Sequence, residues 1–155
     1  MAEAPLQRSR LRANEPMARH CSWRAGGPAA RYYRPADLAD LRRFLATCPA
    51  DEPLLWTGLG SNLLVRDGGF PGTVIGIAGM LGGCRYIDDS TLRAEAGTAC
   101  AKIARINADN GYTGTEFLAG IPGTLGGALA MNAGAWGGET WDLVTRVETI
   151  DRQGH

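Results

Sequence analysis

Two glycine-dense stretches constrain this chain of 155 residues more than any other feature of its sequence. The first is Gly58-Leu59-Gly60-Ser61-Asn62, and the second is Gly120-Ile121-Pro122-Gly123-Thr124-Leu125-Gly126-Gly127. Glycine adopts positive φ readily and lets a ligand approach the main chain, and consecutive amide N–H groups in such a turn bind phosphate oxygens. Both stretches are therefore predicted to contact a cofactor that carries a diphosphate.

The composition indicates a globular chain and excludes several classes of partner. The 16 basic residues balance the 16 acidic residues, so no net field favours nucleic acid or a membrane surface. No apolar run approaches the roughly 20 residues that span a bilayer, and a cytoplasmic location is expected. Lys102 is the only lysine, and a P-loop is excluded because no Gly-Lys-Ser/Thr sequence occurs.

Metal centres are also disfavoured by the sequence. The four cysteines, Cys21, Cys48, Cys84 and Cys100, are widely spaced and form no Cys-x-x-Cys pair. The two histidines, His20 and His155, lie near the ends of the chain. No metal site is therefore predicted, and the cysteines are expected to be reduced and buried.

Residues 1–20 are predicted to be a flexible leader, because they carry four arginines and two prolines without apolar periodicity. Order is expected to begin near Trp23. Residues 21–80 are predicted to form a first lobe with β-α-β-β order. Its elements are a strand over 29–33, a helix from Asp37 to Cys48, a strand over 54–57, a bend over 68–72 and a strand over 73–77.

Residues 81–155 are predicted to form a second lobe. A hairpin is expected from 85–88 and 92–96, followed by a helix that Thr98 caps and Asn110-Gly111 ends. A short helix over 128–133 and a half-buried strand over 143–150 should follow. The turn after that strand ought to lead into a partner strand, so the second lobe is expected to be incomplete, with an ordinary frayed C-terminus as the alternative.

The first glycine stretch begins like the Gly-x-Gly-x-x-Gly fingerprint, but Leu63 stands at the sixth position and an extended segment follows. A Rossmann site is therefore disfavoured, and a plain tight turn remains an alternative.

In the second stretch Thr124 can cap a short helix whose N-terminal N–H groups attract an anion. Close packing of that helix on a sheet is the alternative there. No catalytic residue is predicted, because no nearby charged residue is paired with a base or nucleophile.

Four segments in order resemble UDP-N-acetylenolpyruvoylglucosamine reductase (UDP-N-acetylmuramate dehydrogenase). The resemblance runs through residues 20–155 and rests on Ser22–Ala29, Gly58–Val65, Gly120–Ala128 and Met131–Glu139. It implies an α+β, two-lobed FAD-binding fold of the vanillyl-alcohol oxidase type, with the second lobe truncated.

The same resemblance implies a site and an activity. Gly58, Leu59, Gly60, Ser61 and Asn62 would contact the FAD diphosphate. The rest of the flavin channel would be lined by Gly120, Ile121, Pro122, Gly123, Thr124, Gly126, Gly127, Asn132, Ala133 and Gly134. In the family, NADPH reduces FAD, and the flavin passes a hydride to the enolpyruvyl double bond of a UDP-linked sugar. The product is UDP-N-acetylmuramate for peptidoglycan.

The chain also departs from that family. The family's catalytic arginine, its proton-donating serine and a late glutamate lie C-terminal to the matched region, and the substrate-binding domain is absent. The chain is therefore expected to need a missing C-terminal domain, to be inactive alone and to hold FAD weakly or not at all. Trp136 stands where tyrosine is common.

Two rival functions follow from the same residues. One is another FAD-linked oxidase or dehydrogenase on this scaffold, acting on a hydroxy acid or an alcohol. The other is a non-catalytic binding module in which the glycines only permit tight packing.

Overall fold

The computed structural model describes residues 10–155, which form two compact units. The first unit comprises the described residues up to Met80 together with Ile150–His155, and the second comprises Leu81–Thr149. Over the described residues, no helix combines the length and the apolar character that a bilayer crossing needs.

A four-stranded sheet organises the first unit. Its strands are β1 (Leu11–Pro16), β2 (Pro28–Tyr33), β3 (Leu54–Thr57) and β4 (Phe70–Gly76), in the order β1-β2-β4-β3. β1 is antiparallel to β2, whereas β2 and β3 both run parallel to β4. β4 is the most buried strand, with its last five residues buried in succession, a pattern typical of a strand covered on both faces. The carboxyl ends of β2, β3 and β4 therefore share one edge of the sheet.

Helix α1 (Leu38–Thr47) connects β2 to β3 and confirms the predicted helix. It begins at Asp37, whose side chain accepts the Asp40 N–H at 2.7 Å and so satisfies a donor that the helix leaves free. Its buried face carries Leu41, Phe44 and Leu45. It ends before Pro49, which disfavours helical backbone at the residue that precedes it.

The Asp40 carboxylate joins α1 to the sheet. Only 4% of Asp40 is exposed, and its Oδ2 accepts bonds from the Tyr33 hydroxyl at 2.7 Å and the Ala36 N–H at 2.8 Å. The guanidinium groups of Arg10 and Arg43 lie 3.4 Å from its oxygens. Burial alone would raise the pKa of Asp40, but these donors and charges together hold the pKa below its usual value.

The flexible leader predicted for residues 1–20 is wrong for residues 11–20, and residues 1–9 lie outside the described part of the chain. Leu11–Pro16 forms β1, Met17 is fully buried, and Glu15 is buried within 2.9 Å of His20 Nε2. The sequence hid this strand because four of its six side chains are exposed in a row, so no apolar alternation is visible. Pairing with β2, rather than burial, holds it in place.

The second unit is built from short elements around one core. These are hairpin β5 (Cys84–Tyr86) and β6 (Leu92–Ala94), α2 (Cys100–Asp109), α3 (Leu125–Met131) and hairpin β7 (Gly134–Ala135) and β8 (Gly138–Glu139). The core residues come from α2, from the 3-10 turn Glu116–Gly120 with Ile121 directly after it, and from α3. They are Cys100, Ile103, Ala104, Phe117, Leu118, Ile121 and Ala128. The β5–β6 hairpin and the end of α2 at Asn110 confirm the sequence prediction.

The strand predicted over 143–150 is wrong, because no strand forms there in the described structure. An alternating sequence becomes a strand only beside a partner whose backbone it can bond. Glu148 of this segment instead accepts a bond from Arg93 at 2.8 Å. Residues 150–155, expected in the second lobe, belong to the first unit, where Arg152 donates to the carbonyl oxygens of Ala50 and Glu52 at 3.1 and 2.9 Å.

Three smaller predictions also need correction. Thr98 does not cap α2, because its hydroxyl donates to the Gly83 carbonyl at 3.1 Å and the helix starts after Ala99. α3 begins at Leu125 rather than at residue 128. The bend predicted over 68–72 ends early, because Phe70 already belongs to β4.

We expect Asp40→Asn to lower the free energy of unfolding by about 1–3 kcal/mol at neutral pH, because it leaves buried donors without a charged acceptor. The folded-state pKa of Asp40 lies below the unfolded value of about 3.9, so its stabilisation is present above that pH and disappears as pH falls further. Urea denaturation of the parent and of Asp40→Asn, from neutral pH to pH ~3, measures the two free energies of unfolding. The difference between the two proteins should shrink in acid. Asp51→Asn, at an exposed position, should change stability by less than about 0.5 kcal/mol.

Candidate functional site

The first glycine stretch forms the turn that follows β3 at the carboxyl edge of the sheet. Among the described residues, no acceptor receives the N–H groups of the five residues Gly58–Asn62. The side chains of Ser61 and Asn62 are likewise without a hydrogen-bond partner in the described part of the chain, and Asn62 is exposed. In sheets of this kind, ligands bind outside the carboxyl ends of the parallel strands. The turn thus offers a run of donors of the type that binds an anion.

Gly60 itself serves packing rather than ligand access. Its φ is +71°, and a Cβ there would overlap the His20 carbonyl oxygen and lie 2.8 Å from the Cys21 α-carbon. The Ser22 N–H donates to the Gly60 carbonyl at 3.0 Å. The tight-turn alternative therefore describes Gly60 correctly, while the amides around it stay free. This contact also shows why the Ser22 segment accompanies the glycine turn, a role that the sequence did not reveal.

The second glycine stretch leaves fewer free donors than the sequence predicted. Ile121, which is buried, and Gly123 donate within the turn, to Leu118 and Ile121. The N–H groups of Leu125 and Gly126, in the first turn of α3, donate to Thr98 and Ala96 at 2.8 Å. The expectation of an open helix N-terminus is wrong for those two donors. Within residues 10–155, the N–H groups of Thr124 and Gly127 have no acceptor.

The glycines of this stretch also divide between two roles. A Cβ at Gly126 would lie 3.0 Å from the Ala96 Cβ, so Gly126 permits the close packing that the sequence left as an alternative. A Cβ at Gly127 would meet only Thr124 Oγ1, at 3.7 Å, and Gly127 is exposed. Pro122, between Gly120 and Gly123, is exposed as well.

Thr124 carries the clearest sign of a bound group in this unit. The residue is 2% exposed, and its Oγ1 has no hydrogen-bond partner. The predicted side-chain cap is wrong, although Thr124 does occupy the N-cap position of α3. A buried hydroxyl without a partner destabilises a protein by about 1–3 kcal/mol, so such a group calls for an explanation. The hydroxyl, the two free N–H groups and bare Gly127 are the groups of this stretch that could hold a polar ligand atom.

Asn132, Ala133 and Gly134, predicted to line the flavin channel, connect α3 to the β7–β8 hairpin. Asn132 ends the helix in the left-handed conformation, with φ 45°. Its exposed amide makes two hydrogen bonds within the unit, because Oδ1 accepts the Trp141 N–H at 3.1 Å and Nδ2 donates to Glu139 at 2.8 Å. One N–H and one lone pair of the amide stay available to a ligand, as does the backbone of this segment.

No metal centre emerges from residues 10–155, where no three His, Cys, Asp or Glu side chains are grouped to hold an ion. The four cysteines are free thiols, and burial raises the pKa of Cys48, Cys84 and Cys100. These three cysteines are therefore poor thiolate nucleophiles at neutral pH.

Comparison with known proteins decides the family. The FAD binding domain family matches residues 29–155, which is most of the chain. The chain belongs to the FAD binding domain family. An FAD-binding fold and FAD as the cofactor of this region are thereby supported.

The relatives are UDP-N-acetylenolpyruvoylglucosamine reductases, as the sequence resemblance predicted. That of Alkalilimnicola ehrlichii is 61% identical over 153 residues, covering 99% of this chain and 51% of the relative. That of Nitrosococcus oceani is 63% identical over 138 residues, covering 89% and 46%. The chain thus spans about half the length of the curated relatives that it matches. The resemblance is confirmed.

A solved structure agrees with these relatives. The crystal structure of UDP-N-acetylenolpyruvylglucosamine reductase (MurB) from Thermus caldophilus is 35% identical and matches with a TM-score of 0.66. The match covers 82% of this chain and 44% of that one. The fold described above is therefore that of the FAD-binding region of such a reductase.

The two roles of glycine in this FAD binding domain predict opposite effects of the same substitution. Gly60→Ala should lower the free energy of unfolding by more than about 2 kcal/mol, because its Cβ overlaps backbone and its φ is positive. Gly127→Ala should raise it by up to about 1 kcal/mol, because alanine favours a helix more than glycine does. Urea denaturation without ligand measures the change in free energy of unfolding for each variant. Equal changes would contradict the claim that Gly60 is required for packing and Gly127 is not.

Proposed function

We propose that this chain is the FAD-binding part of an NADPH-dependent reductase that converts UDP-N-acetylenolpyruvoylglucosamine to UDP-N-acetylmuramate for peptidoglycan. The observation that carries the proposal is the run of free amides at Gly58–Asn62, in a chain 61% identical to such a reductase. The proposal includes a two-lobed fold of the vanillyl-alcohol oxidase type, a nucleotide-sugar substrate and a cytoplasmic location.

In this proposal the Gly58–Asn62 turn binds the diphosphate. Its N–H groups, with the Ser61 hydroxyl and the Asn62 amide, supply the donors that a cluster of lysines would supply elsewhere. In the second unit, the Thr124 hydroxyl and the N–H groups of Thr124 and Gly127 bind and orient a further polar group of the cofactor. FAD, when bound, carries electrons from NADPH to the double bond of the substrate.

The reaction itself requires residues beyond this chain. Among the described residues, none forms a nucleophile–base pair at either glycine stretch, so these residues bind and orient but move no proton. We propose that the groups that protonate the product and hold the nucleotide sugar belong to a C-terminal domain, in keeping with the half-length match to the relatives. The chain alone is then inactive and holds FAD weakly.

A chimera tests that dependence. The 155-residue chain should show no steady NADPH oxidation with the enolpyruvyl substrate. Joining it to the C-terminal half of the Alkalilimnicola ehrlichii reductase should restore turnover, because the matched half is 61% identical. NADPH absorbance follows both reactions. Steady turnover by the chain alone, or a folded chimera that binds FAD without turnover, would count against the proposal.

Thr124→Val tests the cofactor site independently of activity. Without FAD, the variant should be more stable than the parent by about 1 kcal/mol, because an unpaired buried hydroxyl is replaced by a methyl group. Its Kd for FAD should nevertheless rise about tenfold, the effect of roughly 1.4 kcal/mol. Thermal melting and fluorescence anisotropy of a trace of FAD, titrated with protein, measure the two effects.

Thr140→Val is the matched control for that experiment. Thr140 is also buried, but its hydroxyl donates to the Ala133 carbonyl at 2.6 Å. This variant should lose stability while keeping the FAD affinity of its folded fraction. If Thr124→Val behaved like Thr140→Val, the Thr124 hydroxyl would have no role in binding FAD.

The second candidate function is the non-catalytic binding module, in which the glycines only permit tight packing. It is favoured by Gly60 and Gly126, because neighbouring backbone or side-chain atoms lie where a Cβ would be. It predicts that FAD leaves the melting temperature of the chain unchanged. A ligand that binds only the folded state raises that temperature, so the thermal shift with added FAD separates the two functions.

A further inference from the structure

Trp136 is placed as a contact surface rather than as part of the core. It is 81% exposed, the largest exposed fraction among the large hydrophobic side chains of the described residues. It lies with Gly137 in the two-residue turn between β7 and β8. An isolated exposed apolar residue is ordinary, so exposure alone assigns no role to it.

The backbone of Trp136 makes its position unusual. Its φ is +51° and that of Gly137 is +88°, which is the combination of a type I′ hairpin turn. Asparagine or glycine is preferred at the first position of this turn, and a left-handed residue with a bulky side chain is destabilised by about 1–2 kcal/mol. No burial of the indole compensates for this strain. Strain that persists at an exposed residue points to a functional constraint.

A contact with the second glycine stretch fixes the position of the indole. A Cβ at Gly120 would lie 2.7 Å from Trp136 Cη2 and 2.9 Å from Cζ3, so one edge of the ring occupies space that only glycine leaves open. Gly120 is the first residue of the stretch that contains Thr124 and Gly127. The fold therefore packs the indole against Gly120, one of the residues assigned to the flavin channel, and leaves most of its surface uncovered.

We propose that the Trp136 indole stacks on the planar isoalloxazine ring of FAD and positions it. This inference rests on the proposed function. An exposed aromatic face is complementary to another aromatic ring, and such contacts are favourable in offset-stacked or edge-to-face geometry. The residues that flank it, Gly134, Ala135, Gly137 and Gly138, carry at most one methyl group and leave room for a flat ligand.

Trp136→Asn separates a stacking role from a structural one. Asparagine followed by glycine is a preferred type I′ sequence, so the variant should melt at the same or a higher temperature than the parent. Its Kd for FAD should rise about tenfold, in line with the loss of one aromatic stacking contact. Anisotropy of a trace of FAD, titrated with the full chain, gives the Kd, and thermal melting without FAD gives the stability.

Two further variants complete the design. Trp136→Phe keeps an aromatic face and should stay within about threefold of the parental Kd. The emission of bound flavin should increase in both Trp136 variants, because an indole in contact with a flavin quenches it. Trp56→Phe, which removes an exposed indole from β3, should change neither Kd nor bound emission.

The outcomes distinguish this inference from the function on which it rests. If the parent binds FAD and Trp136→Asn binds it equally well, the stacking role is refuted and the FAD site stands. If Trp136→Asn instead lowers the melting temperature with no change in Kd, or only abolishes self-association in sedimentation, Trp136 is a packing or interface residue and the inference is wrong. If the parent fails to bind FAD at all, the proposed function fails and the inference with it.

Discussion

The parallel pairing of β3 with β4 is the interaction on which the first unit and its candidate site depend. The ladder ends at Thr57, and the chain then turns at the carboxyl edge of the sheet, where no neighbouring strand can take its N–H groups. A turn of this kind concentrates donors without side-chain charge. That suits a chain with balanced charges, in which a diphosphate must be bound by geometry rather than by a basic surface.

Glycine serves two purposes in both units, and the structure separates them. Gly60 and Gly126 allow segments to approach closely, because neighbouring atoms lie where a Cβ would be. Gly127 borders open space beside an unpaired buried hydroxyl, which is what a ligand site requires. Gly120 also serves packing, since its missing side chain admits the edge of the Trp136 ring. The number of glycines in such a motif is therefore larger than the number that are open to a ligand.

The sequence was sufficient for elements with a strong local signal. α1 has a capping aspartate, apolar residues at helical spacing and a terminating proline, and its bounds follow from them. β1 could not be predicted, since its one inward side chain is Glu15, which Arg12 and His20 satisfy. The prediction for segment 143–150 failed for the opposite reason: its alternating pattern is present, but residues 10–155 supply no partner strand. The number of free N–H groups cannot be predicted from sequence either. The N–H groups of Leu125 and Gly126 donate to the carbonyl oxygens of Thr98 and Ala96, which are distant in sequence.

The measurement that tests the central claim most directly is an amide NMR titration of the chain with ADP, which presents a diphosphate without a flavin. If the Gly58–Asn62 turn binds the diphosphate, its five N–H resonances should move together and saturate with one Kd. Those of Gly68 and Gly79, glycines of the same unit with open space around them, should stay in place. Saturable ADP binding that leaves the resonances of the turn unmoved would contradict the account.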